Sequence, residues 1–166
     1  MSKHNEYILI DGVCMTVAAF DAMPKEDIKN IVARGCASLT ELYAPVAKHI
    51  CAIGCVALTE INVPKAENIC AIGCTALVKL HAPVAKRIYA TGCTALAGAI
   101  HGGEDSRGYH FFGFPQNGEY RIFAGCRNFT PEKALVHWGP GGPSDRPDCL
   151  ELVQKIITEI KMKEQA

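Results

Sequence analysis

Five side chains in the last third of the chain carry groups that could act on one another: His110, Arg121, Cys126, Arg127 and His137. A catalytic thiol needs a base and an electropositive setting that favours the thiolate. Either imidazole could serve as base for Cys126, and the two guanidinium groups lie close by in sequence. No local signature of a thiol enzyme surrounds Gly125-Cys126-Arg127, so the residues favour a structural cysteine at a strand end. The set is kept as the alternative site, that of a small enzyme or nucleotide-binding protein using a C-terminal module. Cys51 with Cys55, and Cys70 with Cys74, do not have the C-x2-C spacing of zinc sites. No metal is expected. Gly139-Pro140-Gly141-Gly142-Pro143-Ser144 could offer backbone N–H groups to a phosphate, but Asp145 and Asp148 would repel an anion there and no G-x-x-x-x-G-K-[ST] is present. It reads as a connecting loop, and no cofactor is expected.

A second group is defined by spacing alone. Tyr43, Asn62 and His81 are nineteen residues apart, and so are Glu41, Glu60 and Lys79. They belong to a repeat that runs Gly35 to Ile53, Gly54 to Ile72 and Gly73 to Thr91, with a truncated unit from Gly92. The first unit agrees with the second at eleven of nineteen positions, and with the third at eleven. The constant positions are small or apolar: Gly35/Gly54/Gly73/Gly92, Leu39/Leu58/Leu77/Leu96, Leu42/Ile61/Leu80 and Pro45/Pro64/Pro83. A coil this short cannot bury its own apolar side, so it must stack on its neighbours. Strand alternation then turns Leu42, Ile61 and Leu80 inward and leaves the two spaced triads outward as exposed ladders.

Leu39-Thr40-Glu41-Leu42-Tyr43-Ala44-Pro45, followed by Ile50 and by Gly54-Cys55 ahead of Leu58, resembles a leucine-rich repeat. It is most similar to the bacterial surface-antigen type, whose units pair an L-x-x-[IL]-x-[small]-P strand with a small-residue turn ending in Gly-Cys. The resemblance covers residues 35–101 and implies a solenoid whose exposed strand face binds partners. The units here are shorter than in that type and imply a narrower coil. The stretch from Tyr120 to Trp138, Tyr-Arg-Ile-Phe-Ala-Gly-Cys-Arg-Asn-Phe-Thr-Pro-Glu-Lys-Ala-Leu-Val-His-Trp, resembles a module of small phage and prophage proteins of unassigned activity. It implies a bacteriophage setting and brings no chemistry with it.

The flanks supply the ends that a solenoid needs. Tyr7–Ile10 and Val13–Val17 around Asp11-Gly12 predict a hairpin, and Pro24 to Ala33 predicts a short helix. Downstream, residues 109–114 and 120–124 predict a second hairpin through Pro115-Gln116-Asn117-Gly118. Thr130-Pro131-Glu132 predicts the start of a helix ending at Gly139, and Ser144-Asp145 the cap of a last helix to about Lys163. On that helix Leu150, Val153, Ile156, Ile157 and Ile160 form one apolar stripe. The expected organisation is a single compact domain: an N-terminal cap over 1–34, a β-rich repeat solenoid over 35–101, and a capping module of hairpin and two helices over 102–166.

Composition narrows the function classes. Seventeen basic residues balance seventeen acidic ones in 166 residues, which argues against a nucleic-acid partner, since such domains are usually basic on one face. No run approaches the ~18 uninterrupted apolar residues of a membrane span, and the polar Met1–Glu6 does not read as a targeting segment, so a cytoplasmic protein is expected. Nine cysteines is an odd count and most fall on the repeat, which fits reduced, packed thiols better than disulfides. The expected function is non-catalytic binding of a protein partner or small effector through Glu41, Tyr43, Glu60, Asn62, Lys79 and His81, with homo-oligomers also expected.

Overall fold

The computed structural model describes residues 6–166, so residues 1–5 of the expected N-terminal cap lie outside the described residues. The chain divides into two compact units, one ending at Ala97 and the other starting at Gly98.

The first unit is a β-solenoid of about three turns at nineteen-residue spacing. Strands β1 (Tyr7–Ile10) and β2 (Val13–Thr16) form the expected hairpin, followed by helix α1 (Val17–Ala22). The coils then contribute β3 (Asn30–Val32), β4 (Glu41–Tyr43), β5 (His49–Cys51), β6 (Glu60–Asn62), β7 (Asn68–Cys70), β8 (Lys79–His81) and β9 (Arg87–Tyr89). Two sheets result: β4-β6-β8 is parallel throughout, and the other joins the hairpin, through an antiparallel β1–β3 pair, to the parallel strands β3-β5-β7-β9. Each strand is only three residues long. In the first sheet this follows from the proline two positions beyond the strand, which has no N–H for the ladder. Corner groups bond instead to the next coil: Ala52 N–H donates to Cys70 C=O at 2.7 Å, and Gly54 N–H to Ile72 C=O at 2.8 Å.

Identical positions stack into buried columns. Leu39, Leu58, Leu77 and Leu96 form one, Ile31, Ile50, Ile69 and Ile88 another, and alanines fill the corners. Burying each Leu or Ile contributes roughly 1.5–3 kcal/mol before the cost of ordering the chain. The thiol column is hydrogen-bonded as well as packed. Cys55 donates to Ala33 C=O, Cys74 to Ala52 C=O at 2.8 Å and Cys93 to Ala71 C=O at 2.9 Å. Burial pushes the Cys36 and Cys93 thiols up to about 11, and the bond with Cys74 together with burial raises Cys55 further, so these three are protonated, while the bond with Cys55 holds Cys74 below its ordinary value. The preceding glycines all sit at positive φ, from +64° at Gly35 to +82° at Gly92, and a Cβ on Gly92 would lie 3.4 Å from the Gly73 backbone.

One sequence expectation is overturned here. Residues 24–33 do not form a helix; the helix is α1, capped by Thr16, whose side chain accepts from Ala19 N–H, and this also ends β2 one residue before Val17. Asn30–Val32 is a strand because it is the first rung of the repeat. Ile31 pairs with Ile50, and Ala33, Gly35 and Cys36 anticipate Ala52, Gly54 and Cys55. The periodicity of one buried column outweighed a local helical pattern. Each coil also carries a second strand, at 49–51, 68–70 and 87–89, beyond the one expected per unit.

The second unit is a four-stranded antiparallel sheet, β10 (Ile100–Glu104), β11 (His110–Gln116), β12 (Glu119–Ala124) and β13 (Arg127–Phe129), with helices α2 (Pro131–Trp138) and α3 (Pro147–Glu164). Its central hairpin turns at Asn117-Gly118, both at positive φ. Thr130 caps α2 as expected, accepting from Lys133 N–H at 3.2 Å. The cap expected for α3 is not formed: Arg146 holds that position, and Asp145 instead accepts from Gly141 N–H at 3.0 Å. Val153, Ile156 and Ile160 of α3 are buried with Phe111, Ile122 and Trp138 in one core, while Leu150 and Ile157 pack at its margin. Contact is close enough that a Cβ on Gly113 would lie 2.8 Å from Ile156. Among the described residues no helix is long and apolar enough to cross a membrane.

Candidate functional site

The β4-β6-β8 sheet sets the expected binding residues in register. Glu41 pairs with Glu60 and Glu60 with Lys79; Tyr43 pairs with Asn62 and Asn62 with His81. The residues between them, Leu42 and Ile61, are buried, so the two triads flank the core column and face outward. Tyr43 is 52% exposed, a high value for a tyrosine on a strand. Lys79 approaches Glu60 at 3.9 Å. Among the described residues the side chains of Tyr43, Asn62 and His81 make no hydrogen bond.

Beside the other sheet several outward side chains pair with one another. Asn68 Nδ2 lies 3.0 Å from His49 Nδ1, and Glu67 takes Lys86 at 2.8 Å and Lys48 at 3.7 Å. The Lys86 ammonium, first by hydrogen bond and then by charge, holds the Glu67 carboxyl below its ordinary value. Lys48, Glu67 and Lys86 alternate in sign from coil to coil, which is why each finds a partner.

In the second unit, three of the five residues of the alternative site come together. Cys126, Arg127 and His137 line a cleft of about 190 Å³. Cys126 is exposed in the turn after β12, Arg127 opens β13, and His137 sits in the last turn of α2. Burial, with Arg127 next, holds the His137 imidazole below its ordinary value, so it is neutral at pH 7. His110 is elsewhere: its Nε2 lies 3.0 Å from His101 Nδ1, and its ring stacks with Phe112. Arg121 is also engaged apart from the cleft, donating to Asn128 Oδ1 at 2.7 Å and to Asn128 C=O at 3.2 Å. Sequence reasoning missed Arg107 and Tyr109 and read Ser144 only as part of a connecting loop and a helix cap; these three complete the cleft. They lie some twenty residues to either side of Cys126, and no short motif joins them. The glycine-rich loop uses its amides internally: Gly142 N–H donates to Gly139 C=O at 3.0 Å and Ser144 N–H to His137 C=O at 2.9 Å.

Among the described residues, Asp105, Asp148 and Cys149 bring three metal-type donors within 4.8 Å of one another. Their chemistry opposes a cation. The side chain of Asp105 is fully buried and takes Arg107 through Nε at 3.0 Å and Nη2 at 2.7 Å. Its burial raises the carboxyl, but Arg107 and two backbone amides outweigh that and keep it ionised. Asp148 is likewise held by Arg146 at 2.8 Å and by Ser106 Oγ at 2.9 Å. Burial, then the neighbouring Asp105, pushes the Cys149 thiol up to about 11. Both carboxylates already have their counter-charges, so the group braces the loop around Ser106 against the start of α3. Compared with known proteins, the chain matches no protein-family model, no curated protein and no solved structure.

Proposed function

We propose that this chain is a non-catalytic binding protein that holds a protein partner on the β4-β6-β8 face of its solenoid. The observation that carries this reading is the open ladder. Tyr43, Asn62 and His81 offer a phenol, an amide and an imidazole in register, with no side-chain hydrogen bond among the described residues, while on the other sheet Asn68 meets His49. Glu41 and Glu60 beside them favour a partner surface that brings a cation or N–H donors, and Tyr43 favours an aromatic or apolar contact.

Size sharpens the reading. Three strands about 4.8 Å apart and three residues long cover roughly 150 Å², against ~800 Å² per partner in a standard interface. The six side chains are therefore the centre of the contact, and exposed neighbours such as Thr40, Thr59 and Val78 its margin. The likeness of the coils to leucine-rich repeats supports a partner-binding strand face. The likeness of residues 120–138 to phage proteins supports an accessory role in the cytoplasm of a bacterium, acting on a host protein.

The test is capture from bacterial lysate by the full chain, compared with Tyr43→Ala/His81→Ala and with His49→Ala/Arg87→Ala on the other sheet. A protein retained by the wild type and by the second variant but lost by the first supports the reading. A protein retained equally by all three places binding elsewhere and overturns it.

A further inference from the structure

We infer that the cleft between the sheet and α2 of the second unit binds a small anion, a phosphate or carboxylate carried on a flat apolar body. This goes beyond the solenoid reading and does not depend on it. The cleft is lined by Arg107, Arg127, His137, Cys126 and Ser144, with Tyr109 and Trp138 among its aromatic walls, and no carboxylate lines it. Arg107 spends Nε and Nη2 on Asp105, which leaves its Nη1 donors unspent, and its guanidinium lies over the Tyr109 ring at 4.9 Å. Arg127 has no ion pair among the described residues. A guanidinium without a carboxylate, in a concave site walled by rings, matches the planar fork of a carboxylate or phosphate. The neutral His137 ring and the Ser144 hydroxyl can each add one donor or acceptor.

The frame is rigid enough to hold that geometry. Arg127 is paired with Ala124 across β12 and β13, Gly125 turns the chain at φ +54°, and Ser144 is tied by its N–H to the His137 carbonyl. Phe111 and Trp138 pack with ring centres 5.0 Å apart behind the site. Volume limits the ligand. A cleft of about 190 Å³ holds about six waters at the ~30 Å³ each takes in the liquid, well short of the ~300–1,000 Å³ of sites for drug-sized molecules. One ring with one anionic group fits it; a dinucleotide does not.

Cys126, exposed at this cleft, is the reporter. The full chain with Cys14→Ser is labelled with the neutral reagent N-ethylmaleimide, in phenyl phosphate, inorganic phosphate or benzoate, against chloride at the same ionic strength. The expected result is that phenyl phosphate or benzoate slows Cys126 labelling about tenfold near ten times its Kd, and that Arg127→Gln removes the protection. Protection by phenyl phosphate alone assigns a phosphate ligand, by benzoate alone a carboxylate; inorganic phosphate shows whether the ring is needed. Arg127→Lys keeps the charge without the fork and should protect to an intermediate degree, which keeps the test sound if Arg127→Gln does not fold. Labelling that none of the three anions slows beyond chloride overturns the inference. So does protection that persists at the wild-type level in both Arg127 variants.

Discussion

The two sheets of the solenoid are built from the same coils, share one core and differ in what their outward residues do. On β5-β7-β9 His49 meets Asn68 a coil away, and at the positions just before these strands Glu67 sits between Lys48 and Lys86. On β4-β6-β8 the same nineteen-residue spacing stacks Glu41 on Glu60 and leaves Tyr43, Asn62 and His81 without side-chain partners among the described residues. Like charges directly opposite on neighbouring strands are destabilising. A repeat therefore makes stability and recognition compete at each outward position, and the two faces resolve that competition in opposite ways.

Breaking the shared core should abolish the contrast altogether. Ile61→Ala removes a fully buried side chain from the middle of the Leu42-Ile61-Leu80 column and is expected to cost about 2–5 kcal/mol, read as a drop in the denaturant midpoint. Both sheets should be lost in one transition, since neither has a core of its own. The thiol column comes next. Cys74→Ala deletes the thiol donor to the Ala52 carbonyl, which keeps only the longer bond from Cys55 N–H at 3.4 Å, an expected loss of about 1 kcal/mol. Cys74→Ser, which restores a donor, should recover part of it. The same column should resist maleimide until the protein unfolds, while Cys14 and Cys126 react in the native state.

The repeat itself was legible because its signal is redundant: Gly-Cys, Leu and Pro return in register, and any two of them would set the period. The second strand of each coil was not, since His49-Ile50-Cys51 and Arg87-Ile88-Tyr89 share only a central isoleucine. The first rung was hidden for a related reason. Around Ile31 the residues Lys29, Asn30, Ala33, Gly35 and Cys36 recur in later coils, but Met23 and Glu26 stand where the repeat has its leucine and proline, and the neighbouring Pro24 and Ile28 mimic a helix. Hairpins and caps marked by Asn117-Gly118 and by Thr130-Pro131 were read correctly because their chemistry is local. Cys126, Arg127 and His137 were named from residue type. That they share a cleft while His110 pairs with His101 is a matter of sheet register, and a single sequence does not carry it.

Acid should sharpen a parallel difference in the second unit. Burial, with His101 next, holds the His110 imidazole below its ordinary 6.5. A folded-state value below the unfolded one stabilises above the unfolded value and is lost as pH falls through the folded value. Stability is therefore expected to fall as pH drops below about 6.5, and His110→Phe, which cannot titrate, should flatten that part of the profile. The smallest effect belongs to the surface charges. Glu67→Gln should lower the melting midpoint slightly at low salt and not at ~1 M salt. Glu60→Gln, with its single ion pair at 3.9 Å, should change it still less.

The central claim is that the open ladder, and not the closed one, is the recognition surface. Titration calorimetry of the captured partner against three forms of the full chain measures it directly. Tyr43→Ala/His81→Ala is expected to weaken the Kd by about thirtyfold or more, the order that truncating a residue worth ~2 kcal/mol produces. His49→Ala/Arg87→Ala is expected to leave it within about threefold. Equal losses in the two variants, or the larger loss in the second, would contradict the claim.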